Sequence, residues 1–537
     1  MTVATRLGSD VALEPARLGG DARRGPRRAL LLAVGVALVI GTVLRFWTRS
    51  HLWLDEALTV HIAELPLRRI PGALDHDGAP PLYYLLLHLW MRAFGTSRLA
   101  VRSMGGVTSV LSLPVMWLAA RRLAAVAGLD ENEEIALAWA AVLLLASSPF
   151  AVHFATEARM YSLVVLLVLA GYLALSDVLA GTRHPVGSAV ALAIVSGLLL
   201  LSHYWSIYLL LVVGAALVVG AWRARSAAAR RRRLRAVVSI AAGGVLFLPW
   251  LPSFAHQLAH TGTPWSEPAS FSAMVNAVSE FAGGRSSSGR ALGLLFFALA
   301  GFGLCGTAID RARVEVDLRT RPRGRGLALV TAGTLALAIA IGLLTGGAFS
   351  ARYTSVVFPV FVLLVALGTA VLVDRRVRSG VVAAAVVLGL VTSTGNVTTD
   401  RTQLGSLVAT ARQAGLRDGD VIAYCPDQLG PAGTELAPPG TRQVGFPTLG
   451  DARFVDWVDY AQRNARADPA GFARTVSDLA GPHAVWLVWA PEYRTFGTLC
   501  EQVVQQMGAL RPPANQLVAS DPLRYFEHAN LVRYPTR

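Results

Sequence analysis

The feature that constrains this chain most is a series of apolar runs of about 17 residues or more, the length a helix needs to cross roughly 30 Å of hydrocarbon. They lie at 29–46, 99–120, 134–152, 158–180, 186–202, 204–222, 236–253, 290–309, 326–346, 353–373 and 380–396. With 54% hydrophobic and 15% charged residues over 537 positions, this surface exceeds what ordinary soluble cores hide. A soluble enzyme, a disordered chain and a secreted disulfide scaffold are excluded, the last also by a total of three cysteines. The expected fold class is mainly α, a polytopic membrane helical bundle of about eleven spans.

Charge orients the bundle. All 49 basic residues are arginine, and the net charge is +15. The arginines gather between apolar runs: Arg23 to Arg28, Arg223 to Arg235, Arg311 to Arg325 and Arg375 to Arg378. Loops retained in the cytoplasm carry such clusters. No aromatic residues interleave them, so anionic lipid headgroups rather than nucleic acid are the expected neighbours. The stretch 81–94 (PLYYLLLHLWMRAF) is short for crossing and reads as an interfacial helix. If it lies on the outer surface, the loops at 223–235, 311–325 and 375–379 all fall inside; if it crossed, all three would face outward. The loop at 121–133, with Arg121 and Arg122 among several acids, supports this less well. Residues 1–28 then read as a basic cytoplasmic tail rather than a cleavable signal, and the C-terminus lies outside.

Residues 29–396 form the expected membrane domain, and 397–537 change character. VIAYC (421–425), AVWLVWA (484–490) and QLVAS (516–520) have strand length and composition. Residues 452–480 and 493–510 have helical spacing, with Phe454, Trp457 and Tyr460 on one side. A small extracytoplasmic α/β domain is expected. Cys425 and Cys500 fall in it, as a permitted disulfide or as two buried thiols, and Cys305 reads as a packing residue in a span.

The unusual polar residues border the outer surface. Asp55 and Glu56 follow the first span closely; a carboxylate pair there accepts a proton from a hydroxyl or holds a divalent cation, or Asp55 simply caps a helix. His76, Asp77 and the Pro80-Pro81 pair turn the chain into the interfacial helix, where Tyr83 and Tyr84 suit the headgroup region. Glu157 and Arg159 sit between two spans, as functional groups or as an ion pair in headgroup water, with Tyr161 one turn from Glu157. His203, Tyr204 and Trp205 interrupt another apolar stretch. An aromatic belt accounts for the last two, while His203 could bond a phosphate or orient a carboxylate. Arg352 opens a span on the outer side, where a guanidinium binds phosphate or snorkels to lipid. Carboxylates, arginines and a histidine on one face suit transfer of a group from a phosphate leaving group.

The order LWLDEALT, HDGAPPLYYLLLHLW, FGTSRLAVRS, SPFAVHFATEARMYSL, LSHYW and SARYTSVVFP is similar to the GT-C superfamily of membrane glycosyltransferases. It looks most like the bacterial branch related to protein O-mannosyltransferases and aminoarabinose transferases. The match covers about 29–375 and is most specific in the first two outer loops. The resemblance implies a polyprenyl-phosphate sugar donor and inverting transfer to a lipid, glycan or protein acceptor outside the bacterial cytoplasmic membrane. It makes Asp55 the catalytic acidic residue and Glu157 the second acidic position. Arg159, Arg352 and His203 become candidates for the donor phosphate, and Glu56, His76, Asp77, Tyr83, Tyr161 and Tyr204 for substrate contacts. Asp55-Glu56 stands where an Asp-x-Asp pair would mark a metal site, so a divalent cation stays open. A lipid flippase, expected to carry charges at mid-membrane, and a scaffold acting through its α/β domain are the rival readings.

Overall fold

A computed structural model of the protein describes residues 24–536 apart from 183, 263–268, 285, 312, 320–321, 346, 348 and 492. The tail expected at 1–28 lies mostly outside the described residues. The chain then runs through α1 (Arg24–Leu44), α2 (Leu54–Glu64), α3 (Ile70–Asp77), α4 (Leu82–Phe94), α5 (Arg98–Val126), α6 (Glu131–Ser147), α7 (Pro149–Ala155), α8 (Tyr161–Ala180) and α9 (Pro185–Ser202). There follow α10 (Trp205–Trp222), α11 (Ala227–Phe247), α12 (Leu251–His260), α13 (Phe271–Ser279), α14 (Ser287–Cys305), α15 (Pro322–Thr345), α16 (Phe358–Thr369) and α17 (Arg375–Thr398). A short antiparallel hairpin, β1 (Gly306–Ala308) with β2 (Val314–Val316), joins α14 to α15.

Each apolar run expected to span is helical, but not all reach crossing length. Among the described residues eight helices are long and apolar enough to cross a membrane, or nine if α6 and α7 form one span bent by 53°. Arg28–Leu44 and α16 are shorter apolar helices. The bend has a local cause: Pro149 has no N–H to continue α6, and the Ser148 side chain instead accepts Ala151 N–H at 3.2 Å and restarts the helix. Residues 351–356 wind as 3-10 turns ahead of α16, which shortens it. Lipid-facing character shows on α1, where Leu31, Leu32, Val36 and Val39 are exposed. The protein is a multi-pass membrane protein.

Helix α4 matches the interfacial stretch: Tyr83, Tyr84, Leu87 and Met91 are buried along one side, and Leu86, Leu89 and Phe94 are exposed. Helix α2 is buried almost all round, from Leu54 to Ala63, because a C-terminal α/β unit covers it. That unit comprises α18 (Leu404–Gln413), β3 (Val421–Cys425), α19 (Gly430–Leu436), β4 (Arg442–Gly445), α20 (Tyr460–Ala465), α21 (Pro469–Ala480), β5 (Val485–Trp489), α22 (Leu499–Leu510), β6 (Asn515–Val518) and β7 (Asn530–Tyr534). Its sheet has the order β4-β3-β5-β7-β6. Strand β3 runs parallel to β4 and β5, and β7 runs antiparallel to β5 and β6. The expected strands match β3, β5 and β6, whereas β4 and β7 are short and interrupted by Arg442 and Arg533, so their sequences do not signal a strand. The helical stretch 452–480 resolves into α20 and α21 after an irregular 452–459, and 493–510 reduces to α22. Cys425 and Cys500 are joined, tying the end of β3 to the start of α22; Cys305 is free.

Candidate active site

Helix α2 starts after Trp53, which contributes no side-chain cap. Asp55 is its second residue, and the Asp55 carboxylate accepts a hydrogen bond from Arg352 rather than capping the helix. Both side chains are more than four-fifths buried. Glu56 points elsewhere. It is fully buried and takes two bonds from Arg102, 2.7 Å from Nε and 2.6 Å from Nη2, with the Ala158 N–H at 2.9 Å. Expected among the substrate contacts, Glu56 instead ties the first outer loop to α5 and to the turn after α7.

The turn after α7 approaches α5 at Gly105, where a Cβ would lie 2.9 Å from the carbonyl oxygens of Ala155 and Glu157. Glu157 is buried beside Arg401 at 3.5 Å and His153 at 3.3 Å. Burial alone would raise its pKa, but Arg401, then the hydrogen bond and charge of His153, outweigh it and hold the carboxyl well below the usual carboxylate range. Arg401 also lies 3.7 Å from Glu56 and donates to the Thr156 hydroxyl at 2.8 Å. The ion pair of Glu157 is therefore with Arg401, a residue sequence reasoning missed, and not with its near neighbour Arg159.

Arg159 Nη1 donates to Thr59 Oγ1 at 2.7 Å and to Tyr84 Oη at 3.2 Å, and Tyr84 Oη donates to Asp77 at 2.5 Å. Burial pushes the Asp77 carboxyl up, against the pull of Arg159 and Tyr84. The hydroxyls of Tyr83 and Tyr161 are buried without a hydrogen-bond partner among the described residues. His203 Nδ1 accepts the Trp205 N–H at 3.1 Å, which leaves the proton on Nε2. Burial, then Arg159 and Arg352, push its pKa down to about 3, so the ring is neutral, with Nε2–H as its donor group. Its ring lies 5.3 Å from that of Tyr353, beside Arg352. Asp55, Asp77, Tyr83, Arg159, Tyr161, His203 and Arg352 thus form one polar centre beneath α2.

Besides Glu56 and Glu157, two further expected residues lie outside it. His76 is largely exposed and bonds Asp456 of the C-terminal unit at 2.8 Å. Tyr204 bonds Gln257, accepts Trp250 Nε1 at 3.0 Å and packs on Phe254, a brace between α10 and α12.

Two cavities meet at Arg352, Trp53 and Phe526. The larger, about 630 Å³, runs along α7 and the end of α17; Phe150 and Phe154 give it apolar walls, and Arg352 and Arg401 line it together with His153 and the carboxylates of Glu157, Glu280 and Asp400. The smaller, about 300 Å³, holds Asp55 and is roofed by the C-terminal unit. The arrangement is similar over nearly its whole length to solved membrane-protein structures. ArnT from Cupriavidus metallidurans in the apo state superposes with a TM-score of 0.58 at 15% identity, over 95% of this chain and 98% of that one. The same protein bound to undecaprenyl phosphate gives 0.54 at 15% identity, over 94% and 97%. The chain has the GT-C fold. No protein-family model and no curated protein matches the sequence.

In this GT-C fold the C-terminal unit is fastened directly to the polar centre. Glu527 accepts the Leu54 N–H at 3.1 Å, supplying from another part of the chain the cap that Trp53 lacks. Burial pushes its carboxyl up to about 8. Its backbone bonds Arg401 and Gln403, which joins the segment around 527 to the linker after α17. No signal in the sequence singles out Glu527; Arg401 could have been noticed as a lone arginine just past the last span. Among the described residues no group of three or more His, Cys, Asp or Glu is arranged to hold a metal ion.

Proposed function

We propose that the protein is an integral membrane glycosyltransferase that moves a sugar from a polyprenyl phosphate to an acceptor hydroxyl, with inversion. The observation that carries the reading is the buried Asp55–Arg352 pair where the two cavities join. The larger cavity combines apolar walls with arginines, which suits a prenyl tail ending in phosphate. Undecaprenyl phosphate is the ligand of the fold relative, and the same class of donor is proposed here. Donor phosphate takes Arg352 as its partner and so releases the Asp55 carboxylate. Asp55 then accepts the proton of the acceptor hydroxyl as its oxygen attacks the anomeric carbon. The bond from that carbon to the phosphate oxygen breaks, its electron pair staying with the phosphate, where Arg352, Arg159 and the His203 Nε2–H stabilise the charge. Glu157 keeps Arg401 and His153 at the wall of the donor cavity.

The reaction faces the outside of the cytoplasmic membrane, with 29–396 as the membrane domain and 397–537 as the covering domain. The test uses membranes with wild-type protein or Asp55→Asn and a panel of labelled polyprenyl-phosphate sugars. Label entering a new product only with wild type supports the reading and names the donor. Labelled lipid crossing the bilayer without transfer would replace it with transport.

A further inference from the structure

The smaller cavity lies at one particular place in the C-terminal sheet. The chain passes from β3 to β4 on one side and then returns to β5 on the other, so the direction of winding reverses between β3 and β5. In open α/β sheets, a crevice outside the carboxyl ends of strands at such a reversal is where ligands bind. Gln428 and Leu429, just after β3, and Ala490 and Tyr493, just after β5, line the cavity from above, and Asp55 and Trp53 line it from below.

Its walls have a defined chemistry. Trp53, Trp457, Tyr493 and Phe526 present aromatic rings. Trp53 is nine-tenths buried, and its indole N–H has no hydrogen-bond partner among the described residues. Tyr493 donates its hydroxyl proton to Gln428 Oε1, while Gln428 Nε2 donates to Tyr460 at 3.1 Å, and Tyr460 donates to Asp427. This chain commits the Tyr493 proton inward and leaves its oxygen lone pair for a ligand. Between aromatic faces, the cavity wall thus holds a buried indole N–H without a partner, Trp53 Nε1, and an oxygen whose proton is already committed, Tyr493 Oη. A ring that has C–H bonds on its faces and hydroxyls at its edge satisfies all of these at once.

We propose that this crevice is the acceptor site and that it takes a carbohydrate ring, so the hydroxyl delivered to Asp55 belongs to a glycan. The inference rests on Asp55 being the base, and the C-terminal unit then sets acceptor specificity. An acyl chain would place hydrocarbon against Asp55, Glu527 and Arg494. An extended peptide would pair with a sheet edge, β4 or β6, and neither strand lines the cavity.

The experiment titrates full-length protein in detergent with methyl glycosides and short oligosaccharides, with a Ser/Thr-containing peptide and with a lysolipid, reading tryptophan fluorescence. Asp55→Asn is used alongside wild type so that binding is read without turnover. Tyr493→Phe, which keeps the ring, and Trp53→Phe, which keeps an aromatic face without the N–H and is read by calorimetry because it removes a fluorophore at the site, should each weaken saccharide binding about tenfold, one lost hydrogen bond of roughly 1.4 kcal/mol. Undecaprenyl phosphate binding should remain unchanged in Tyr493→Phe. Response to peptide or lysolipid alone, no response to any saccharide, or saccharide binding insensitive to both variants would overturn the proposal. Transfer assays separate the two levels. A dead Asp55→Asn enzyme whose wild type glycosylates only a peptide or lipid refutes the glycan and keeps the base; an active Asp55→Asn enzyme removes the base itself.

Discussion

At the residue scale the adjacent acids Asp55 and Glu56 have opposite duties, and substitution separates them. Asp55→Asn should cut transfer by about 10²–10⁴-fold, the usual contribution of a positioned base, while the protein stays folded in its membrane. Glu56→Gln leaves the buried Arg102 guanidinium without its counter-charge and should lower stability by about 3–5 kcal/mol, seen as earlier thermal unfolding in detergent. Equal unfolding temperatures for the two variants would contradict this division. His203 gives a pH signature. Its folded pKa, about 3, lies below the ordinary 6.5, so between these values the unfolded chain binds a proton that the folded protein refuses. Stability from this group is full above 6.5 and is lost as pH falls toward 3. His203→Gln cannot titrate, and its unfolding temperature should fall less between pH 7 and pH 5 than that of wild type. Asp55, Arg159 and Arg352 were legible because charges bordering an apolar run stand out. Their pairing was not, because nothing local joins Asp55 to a partner 297 positions away. Arg102 looks, in sequence, like any arginine near a span end, and Arg401, though it stands alone past the last span, carries no local sign of its partners.

At the element scale the site depends on where one broken helix turns. The Ser148-Pro149 step that ends α6 is visible in sequence, yet hydropathy alone runs straight through it, and so the expected span at 134–152 became two helices at 53°. After the break, the 156–160 turn sets Glu157 against Arg401 and His153 and Arg159 against Thr59 and Tyr84. Gly105 permits the approach, since a side chain there would press on the carbonyls of Ala155 and Glu157. Gly105→Val should therefore cost about 1–3 kcal/mol and reduce transfer, because the turn must shift. Gly35, with open space around its missing Cβ, serves as the control: Gly35→Ala should leave transfer intact. Equal losses in both would mean that glycine content in the spans, and not this contact, matters. In the α/β unit, β3 and β5 were legible because both faces are buried and their sequences are continuously apolar. Short β4 and β7, with Arg442 and Arg533 inside them, were not.

At the scale of the whole molecule, the bundle and the α/β unit form one body around α2, and the site needs both to keep their sides of the membrane. Every residue of the polar centre lies where the chain passes from α1 to α5, α7 to α8, α9 to α10, into α16 or out of α17. The arginine clusters lie at the opposite turns: α10 to α11, α14 to α15 and α16 to α17. Because loops rich in arginine stay in the cytoplasm, this alternation predicts that the centre and the covering unit face outward. Single cysteines placed in a Cys305→Ala background test it with a membrane-impermeant maleimide. Arg466→Cys, exposed on the α/β unit, should label in intact cells, whereas Ala228→Cys and Ser379→Cys, both exposed at arginine-rich turns, should label only after permeabilisation. The reverse pattern would put Asp55 on the cytoplasmic face. The acceptor would then have to be cytoplasmic, and the Cys425–Cys500 bond would have to persist in a reducing compartment, where such bonds are rare. The disulfide and the arginines thus point to the same side through unrelated chemistry.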